Sequence, residues 1–223
     1  MAVGQAVASV EHPPPVWVQM SSLAVFGDGG DRVIDEETVP SGVGPPQMVQ
    51  VCLAWEAAFQ RATVAIPRTV LIRAGIGVGG RGDPPTERLL TLARAGLAGR
   101  VASGQQWISW IALEDFMAVL LRAIDDDTMS GLYHATSPNP IRNEEMMETY
   151  RKLAGRRFGL RSPRLVTQLG ARLLSSDPAL ALTGRRVFPT RLLDEGYEFA
   201  VPHFSEAAAQ AVTDVKEWRQ VED

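Results

Sequence analysis

The sequence predicts an α/β fold: a largely parallel sheet with helices on both faces, plus a small C-terminal α/β lobe. Short apolar runs rich in β-branched residues alternate with longer stretches of helical periodicity, the order expected of βα units. With 45% hydrophobic and 22% charged residues in 223, the chain can build a real core and is too apolar for disorder. Glycine and proline punctuate the segment from Thr183 to Pro202, which sets the C-terminal end apart.

Met1 to Val10 is small-residue and helix-compatible, and three prolines then lead into Val16-Trp17-Val18-Gln19-Met20, a buried strand ending in Ser21-Ser22. Val33 to Thr38, between turn-rich segments at Gly27 to Asp31 and Pro40 to Pro46, reads as an exposed loop. A helix follows from Gln47 to about Ala62, its predicted buried stripe being Val51, Ala54, Trp55, Ala58 and Ala62. Arg68 to Arg73 is a second buried strand, closed by a glycine loop from Gly75 to Gly82. Pro84 and Pro85 open a helix through Leu97. Gln106 to Ile111 is a strand, Leu113-Glu114-Asp115 starts a helix running to Ile124, and Asp125-Asp126-Asp127 stops it. Gly131 to Ala135 is another strand, and Asn143 caps a helix through Leu153. Helices from Pro163 to Leu174 and Ser205 to Trp218 complete the pattern. The domain boundaries expected are 1–160, 161–215 and a tail at 216–223.

The net charge of −4 and the lack of a basic stripe argue against a nucleic-acid partner. No apolar run approaches the roughly 20 residues of a membrane span, and the N-terminus has no basic start like that of a signal peptide, so a cytoplasmic protein is expected. Cys52 stands alone, and His12, His134 and His203 show no metal-ligand spacing; no metal is expected.

Gly75-Ile76-Gly77-Val78-Gly79-Gly80 satisfies the dinucleotide pattern G-x-G-x-x-G after a strand. Arg81-Gly82-Asp83-Pro84-Pro85 then delays the helix, and no acid closes a strand near residue 100, so the loop reads as a strand-end loop rather than a diphosphate cradle. Such a loop still borders the crevice where ligands of parallel sheets bind.

Ser21-Ser22-Leu23-Ala24-Val25-Phe26-Gly27-Asp28 resembles the serine strand of extended short-chain dehydrogenases, the nucleotide-sugar epimerase and dehydratase group. Leu71 to Gly75, Trp110 to Asp115, and Gly131-Leu132-Tyr133 with Pro138-Asn139-Pro140 extend the resemblance. The C-terminal run through Leu182, Gly184, Val187, Pro189, Arg191, Gly196, Tyr197, Phe199 and Pro202 is similar to the uncharacterised domain of one branch, the epimerase family proteins, sometimes labelled cell-division-inhibitor homologues.

The resemblance implies a partial Rossmann-like sheet, NADP as cofactor and a nucleotide-sugar-like small molecule as ligand. Members begin with a glycine-rich strand-loop-helix, and nothing before Val16 matches it, so NADP binding is expected only with such a segment supplied. Ser21, Ser22, Ala74, Gly75 and Ile76 are the expected cofactor contacts. Ser22 matches the family serine, while Met48 and Cys52 fall where its Tyr and Lys should be. Met48 has no proton to give, and Cys52 cannot supply the fixed positive charge that stabilises a phenolate. An enzyme at most atypical, without Tyr–Lys hydride transfer, is the reading that results. A non-enzymatic binding or regulatory scaffold, or a truncated inactive fragment, stays beside it.

Each candidate has a plainer reading. Ser22 also suits a turn hydroxyl, Cys52 a small semi-buried thiol, and Asp115 a complement to its helix dipole. Trp110 and Asp115 are the candidate substrate contacts, with Trp107 and Trp110 equally suited to core. Arg73 reads as half of a structural ion pair, and Arg156-Arg157 and Arg185-Arg186 as solvated faces.

Overall fold

The structure, a computed structural model, describes all residues except 1, 43, 64–65, 81–82, 165–166, 169–177 and 223. Its centre is a parallel sheet in the order β1 (Val16–Ser22), β3 (Arg68–Ala74), β7 (Gly131–Ala135), with Ser22 opposite Ala74 and Ala74 opposite Ala135. Side chains alternate along β3. Val70 and Ile72 turn to helix α4 (Leu113–Asp125), packing with Val119, Ala123 and Tyr133, while Arg73 turns to helix α2 (Pro46–Ala62) on the opposite face. Helix α1 (Ala2–Ala8) lies on α2, with Gly4 so close that an added Cβ would stand 2.6 Å from that of Ala62.

Helix α3 (Pro84–Arg94), helix α5 (Asn143–Leu153) and, after the short helices α6 (Ala179–Leu182) and α7 (Thr190–Asp194), the C-terminal helix α8 (Phe204–Glu222) form a second core around Leu90, Tyr150 and Phe204. Tyr150 and Trp110 both meet the Phe204 ring edge-on. Helix α8 thus joins the main body and continues through the residues expected to form a tail. Among the described residues no helix is long and apolar enough to cross a membrane.

Five details differ from the sequence reading. Val33–Ile34 is not an exposed loop but a short strand, β2, paired in parallel with β9 (Arg186–Val187), and Ile34 is fully buried. The glycine run contains strand β4 (Ile76–Val78), paired with β6 (Trp110–Ala112). The strand expected from Gln106 to Ile111 breaks at Ser109 into β5 (Trp107–Ile108) and β6, because β5 pairs antiparallel with β8 (Ile141–Arg142) instead. Helix α3 stops at Arg94: Gly96 takes φ +74°, and the amides of Gly96 and Leu97 close back on Ala93 and Leu92. Asn143 is the first helical residue rather than the cap, and its carboxamide accepts from the Val101 amide. The helix expected from Pro163 to Leu174 lies largely outside the described residues.

The buried face of α2 is the sixth correction and the most informative. Val51 and Trp55 are exposed, whereas Met48, Val49, Cys52, Glu56 and Phe59 point inward. A carboxylate, Glu56, sits in the buried stripe because Arg73 and Ser21 meet it there. A reading that scores Glu as surface turns the helix the wrong way.

Candidate functional site

Parallel strands place their carboxyl ends at one edge of the sheet, and a crevice opens beyond them. At the ends of β1 and β3 lies a cavity of about 140 Å³. Ser22 and Met48 form one wall, Ala74, Gly75 and Ile76 another, and Ser109, Thr183 and Arg185 close it. Trp107 and Thr183 are shared with an outer chamber of about 680 Å³. That chamber is polar, with Asp28, Asp31, Gln105, Gln106, Arg142 and Gln168 on its walls.

Ser22 ends β1 in extended geometry and caps a one-turn helix from Leu23 to Phe26, its Oγ accepting from the Ala24 amide at 3.1 Å. The turn-hydroxyl reading therefore describes its lone pair; its O–H has no acceptor among the described residues. Ser21 points to the other side of the strand and donates to Glu56 Oε1 at 2.7 Å, so it lies off the cavity. Gly75 is required where it is, since a Cβ there would stand 2.9 Å from the Ser109 carbonyl oxygen. Its amide and that of Ile76 donate to Ala135 and Ser109 carbonyls, leaving the strand end to present surface rather than donors.

Met48 faces the cavity without a proton to move, and Cys52 lies one turn deeper, packed with Leu23, Phe26 and Val187. Burial, then the nearby Glu56 carboxylate, pushes the Cys52 thiol up, away from the thiolate form. No tyrosine replaces the absent phenol. Tyr133, Tyr150 and Tyr197 are engaged with Glu195, Thr86 and the Asp115 carbonyl, and burial pushes the Tyr133 and Tyr197 phenols up to about 12.

The glycine run does not cradle a diphosphate. The Gly79 amide donates to Asp83 at 3.1 Å and the Gly80 amide to Asp214 at 3.1 Å, so two carboxylates hold the donors a phosphate would need. Asp83 also caps α3 through the Thr86 amide.

The two expected substrate contacts lie elsewhere. Trp110 is wholly buried, its indole N–H donating to the Asn139 carbonyl at 2.9 Å. Asp115 is only 2% exposed and accepts from the Ala200 and Val201 amides at 2.7 and 3.0 Å, fastening the segment before α8. Asp115→Ala is expected to cost about 2 kcal/mol, the desolvation of two orphaned amides. Limited proteolysis should show faster cleavage near residue 200; an unchanged pattern and urea midpoint would contradict this role.

The residues that sequence reading missed are Thr183, Ser109 and above all Arg185. Arg185-Arg186 is not a solvated pair. Arg186 stacks over Trp107 at 4.7 Å and Phe188 at 5.4 Å, while Arg142 lies over Trp107 at 3.8 Å. The Trp107 indole donates to Asp31 at 2.8 Å, and this bond and those from Arg142 hold the Asp31 carboxyl below its usual range. No local pattern announces this wall, because residues 183–188 reach it through pairing with β2 and with Ser109, whose hydroxyl donates to the Arg185 carbonyl. Among the described residues no group of three or more His, Cys, Asp or Glu is placed to hold a metal ion.

A family described as "Domain of unknown function (DUF1731)" matches residues 163–211. The chain is 30% identical over 196 residues to the epimerase family protein Mb2239 of Mycobacterium bovis, covering 88% of this chain and 63% of the relative. It therefore spans less than two thirds of that relative's length. The crystal structure of human epimerase family protein SDR39U1 (isoform 2) with NADPH superposes with a TM-score of 0.80 at 26% identity, over 96% of this chain and 70% of the human one. That of the nucleoside-diphosphate sugar epimerase from Corynebacterium glutamicum gives 0.73 at 27% identity, over 99% and 43%. Together these similarities make the chain an atypical, epimerase-like protein of the short-chain dehydrogenase/reductase kind, similar to the epimerase family proteins.

Proposed function

We propose that this chain is an NAD(P)-binding, epimerase-like protein that works without Tyr–Lys hydride-transfer chemistry. The observation that carries the reading is the inner cavity itself, where Ser22 and Met48 face Ala74, Gly75 and Ile76 across the strand ends. These residues fit the nicotinamide end of the cofactor: a glycine-smooth apolar wall to lie against and one hydroxyl to orient a reacting oxygen. When bound, the cofactor would supply a ring that accepts and returns a hydride. The diphosphate fits nowhere on the glycine run, since Asp83 and Asp214 occupy it. Residues 1–160 then form the cofactor-binding part, and 161–215 with Thr183 and Arg185 the wall opposite. The polar outer chamber, with amide and carboxylate side chains around Trp107, suits the hydroxyls of a nucleotide-sugar-like ligand, a reading supported by the likeness to a nucleoside-diphosphate sugar epimerase.

NADPH fluorescence, titrated against this chain and against a version carrying an upstream glycine-rich βα unit, tests the proposal. Saturable enhancement in either is expected, and silence from both discards it. A scaffold role is the second reading, favoured by Met48 and the deeply set Cys52 thiol. Turnover of a UDP- or dTDP-sugar by the extended version, lost in Ser22→Ala, would overturn that second reading.

A further inference from the structure

We infer that the inner cavity is an anion-binding subsite, in which Arg185 and the Ser22 hydroxyl hold a carboxylate or phosphoryl group of the ligand. Arg185 is the single cation among the described residues lining this cavity, and no acidic side chain lines it. Its guanidinium makes no ion pair and no hydrogen bond with any described residue; only its backbone is engaged, the amide with Trp107 and the carbonyl with Ser109. Its side chain is half-buried, and burial pushes its pKa down. Asp28, a carboxylate that acts on it through space, accepts from the Gly184 amide at 3.1 Å.

A half-buried guanidinium that bonds to no described residue keeps its donors for solvent or for a ligand entering the cavity. The planar fork of arginine matches the paired oxygens of a carboxylate or phosphate. Ser22 adds the complementary piece, because its lone pair already serves the Ala24 amide and its proton is left to donate. The volume of about 140 Å³ admits one such group rather than a whole nucleotide, so the charge belongs to the end of the ligand that meets the strand ends. The group that enters the inner cavity is thereby an acid or a phosphoryl group, and any sugar moiety is left to the outer chamber.

The assignment deepens the cofactor reading above, since both use this cavity, but it is tested without any nicotinamide nucleotide, so either can fail alone. Isothermal titration with inorganic phosphate and with malonate should show saturable binding of at least one, which also separates the phosphoryl from the carboxylate source. Arg185→Gln should weaken it tenfold or more and Ser22→Ala severalfold. Arg185→Gln should keep the wild-type circular dichroism and melting transition, because the guanidinium bonds to no described residue, whereas Ser22→Ala should keep the circular dichroism but melt somewhat lower, having lost the bond to the Ala24 amide. Peptide mapping after phenylglyoxal labelling should show Arg185 protected by the bound anion. No saturable binding of either probe, binding unaltered in Arg185→Gln, or protection falling on Arg142 instead would each overturn the inference.

Discussion

Arg73→Leu is expected to destabilise the protein by about 3–5 kcal/mol, because it strands a carboxylate inside the fold. Glu56 Oε1 accepts from Arg73 Nε at 2.9 Å and from Ser21 at 2.7 Å, and Oε2 accepts from Arg73 Nη2 at 2.8 Å. Both side chains are almost fully buried, at 7% and 9% exposure. Burial by itself would raise the Glu56 pKa; the hydrogen bonds from Arg73 and Ser21 outweigh it and leave the group below its ordinary value. The pair's contribution is therefore complete above the unfolded carboxylate value of about 4.3 and is lost as pH falls through the lower folded value. In a domain of this size the single variant should melt roughly 6–20 °C lower. The double variant Arg73→Leu with Glu56→Leu should recover part of that loss, since no uncompensated charge remains. Urea unfolding of the three proteins decides it. A single variant within about 1 kcal/mol of wild type would show that the pair does not hold α2 to the sheet.

A second large effect lies in a different pH window. His134 is fully buried; burial, then the positive charge of Arg73, depresses its pKa to about 4. Its Nδ1 donates to the Phe188 carbonyl at 3.3 Å and its ring meets Phe26 edge-on, so the native state holds it neutral. The unfolded chain protonates it near 6.5. Stability is complete above that value and drains as pH falls toward 4, by about 2 kcal/mol between pH 7 and pH 5. His134→Gln should be flatter across this interval, whatever its stability at pH 7. The two titrations separate cleanly, as Glu56 begins to matter only below the window in which His134 has acted. Equal slopes for wild type and His134→Gln between pH 7 and pH 5 would refute the assignment.

The parallel sheet was legible because β1, β3 and β7 are short apolar runs, and apolar runs flanked by turns leave few alternatives. The strand-end wall of Ser22, Ala74, Gly75 and Ile76 was legible for the same reason: it follows from where strands stop. Three things were hidden. The stripe of α2 was turned by Glu56, whose burial depends on Arg73 from an element elsewhere in the chain. Asp115 and Trp110 carry chemistry-bearing groups, but their partners, the Ala200 and Val201 amides and the Asn139 carbonyl, are backbone atoms that no side-chain pattern reveals. Arg185 looked like half of a charged pair on a surface. Only the docking of residues 184–188 between β2 and Ser109 encloses it.

That docking also governs when the strand-end cavity can close. Gly184 is fixed to Asp28, a residue 156 positions earlier, and Gly184 and Arg185 are pressed against Trp107 so tightly that a Cβ on Gly184 would overlap its backbone nitrogen at 2.5 Å. A ribosome delivers the N-terminal strands first, at about 5–20 residues per second, so this wall waits until the segment through Phe188 has been made. Until then the nascent polypeptide has a sheet to collapse on but no closed chamber.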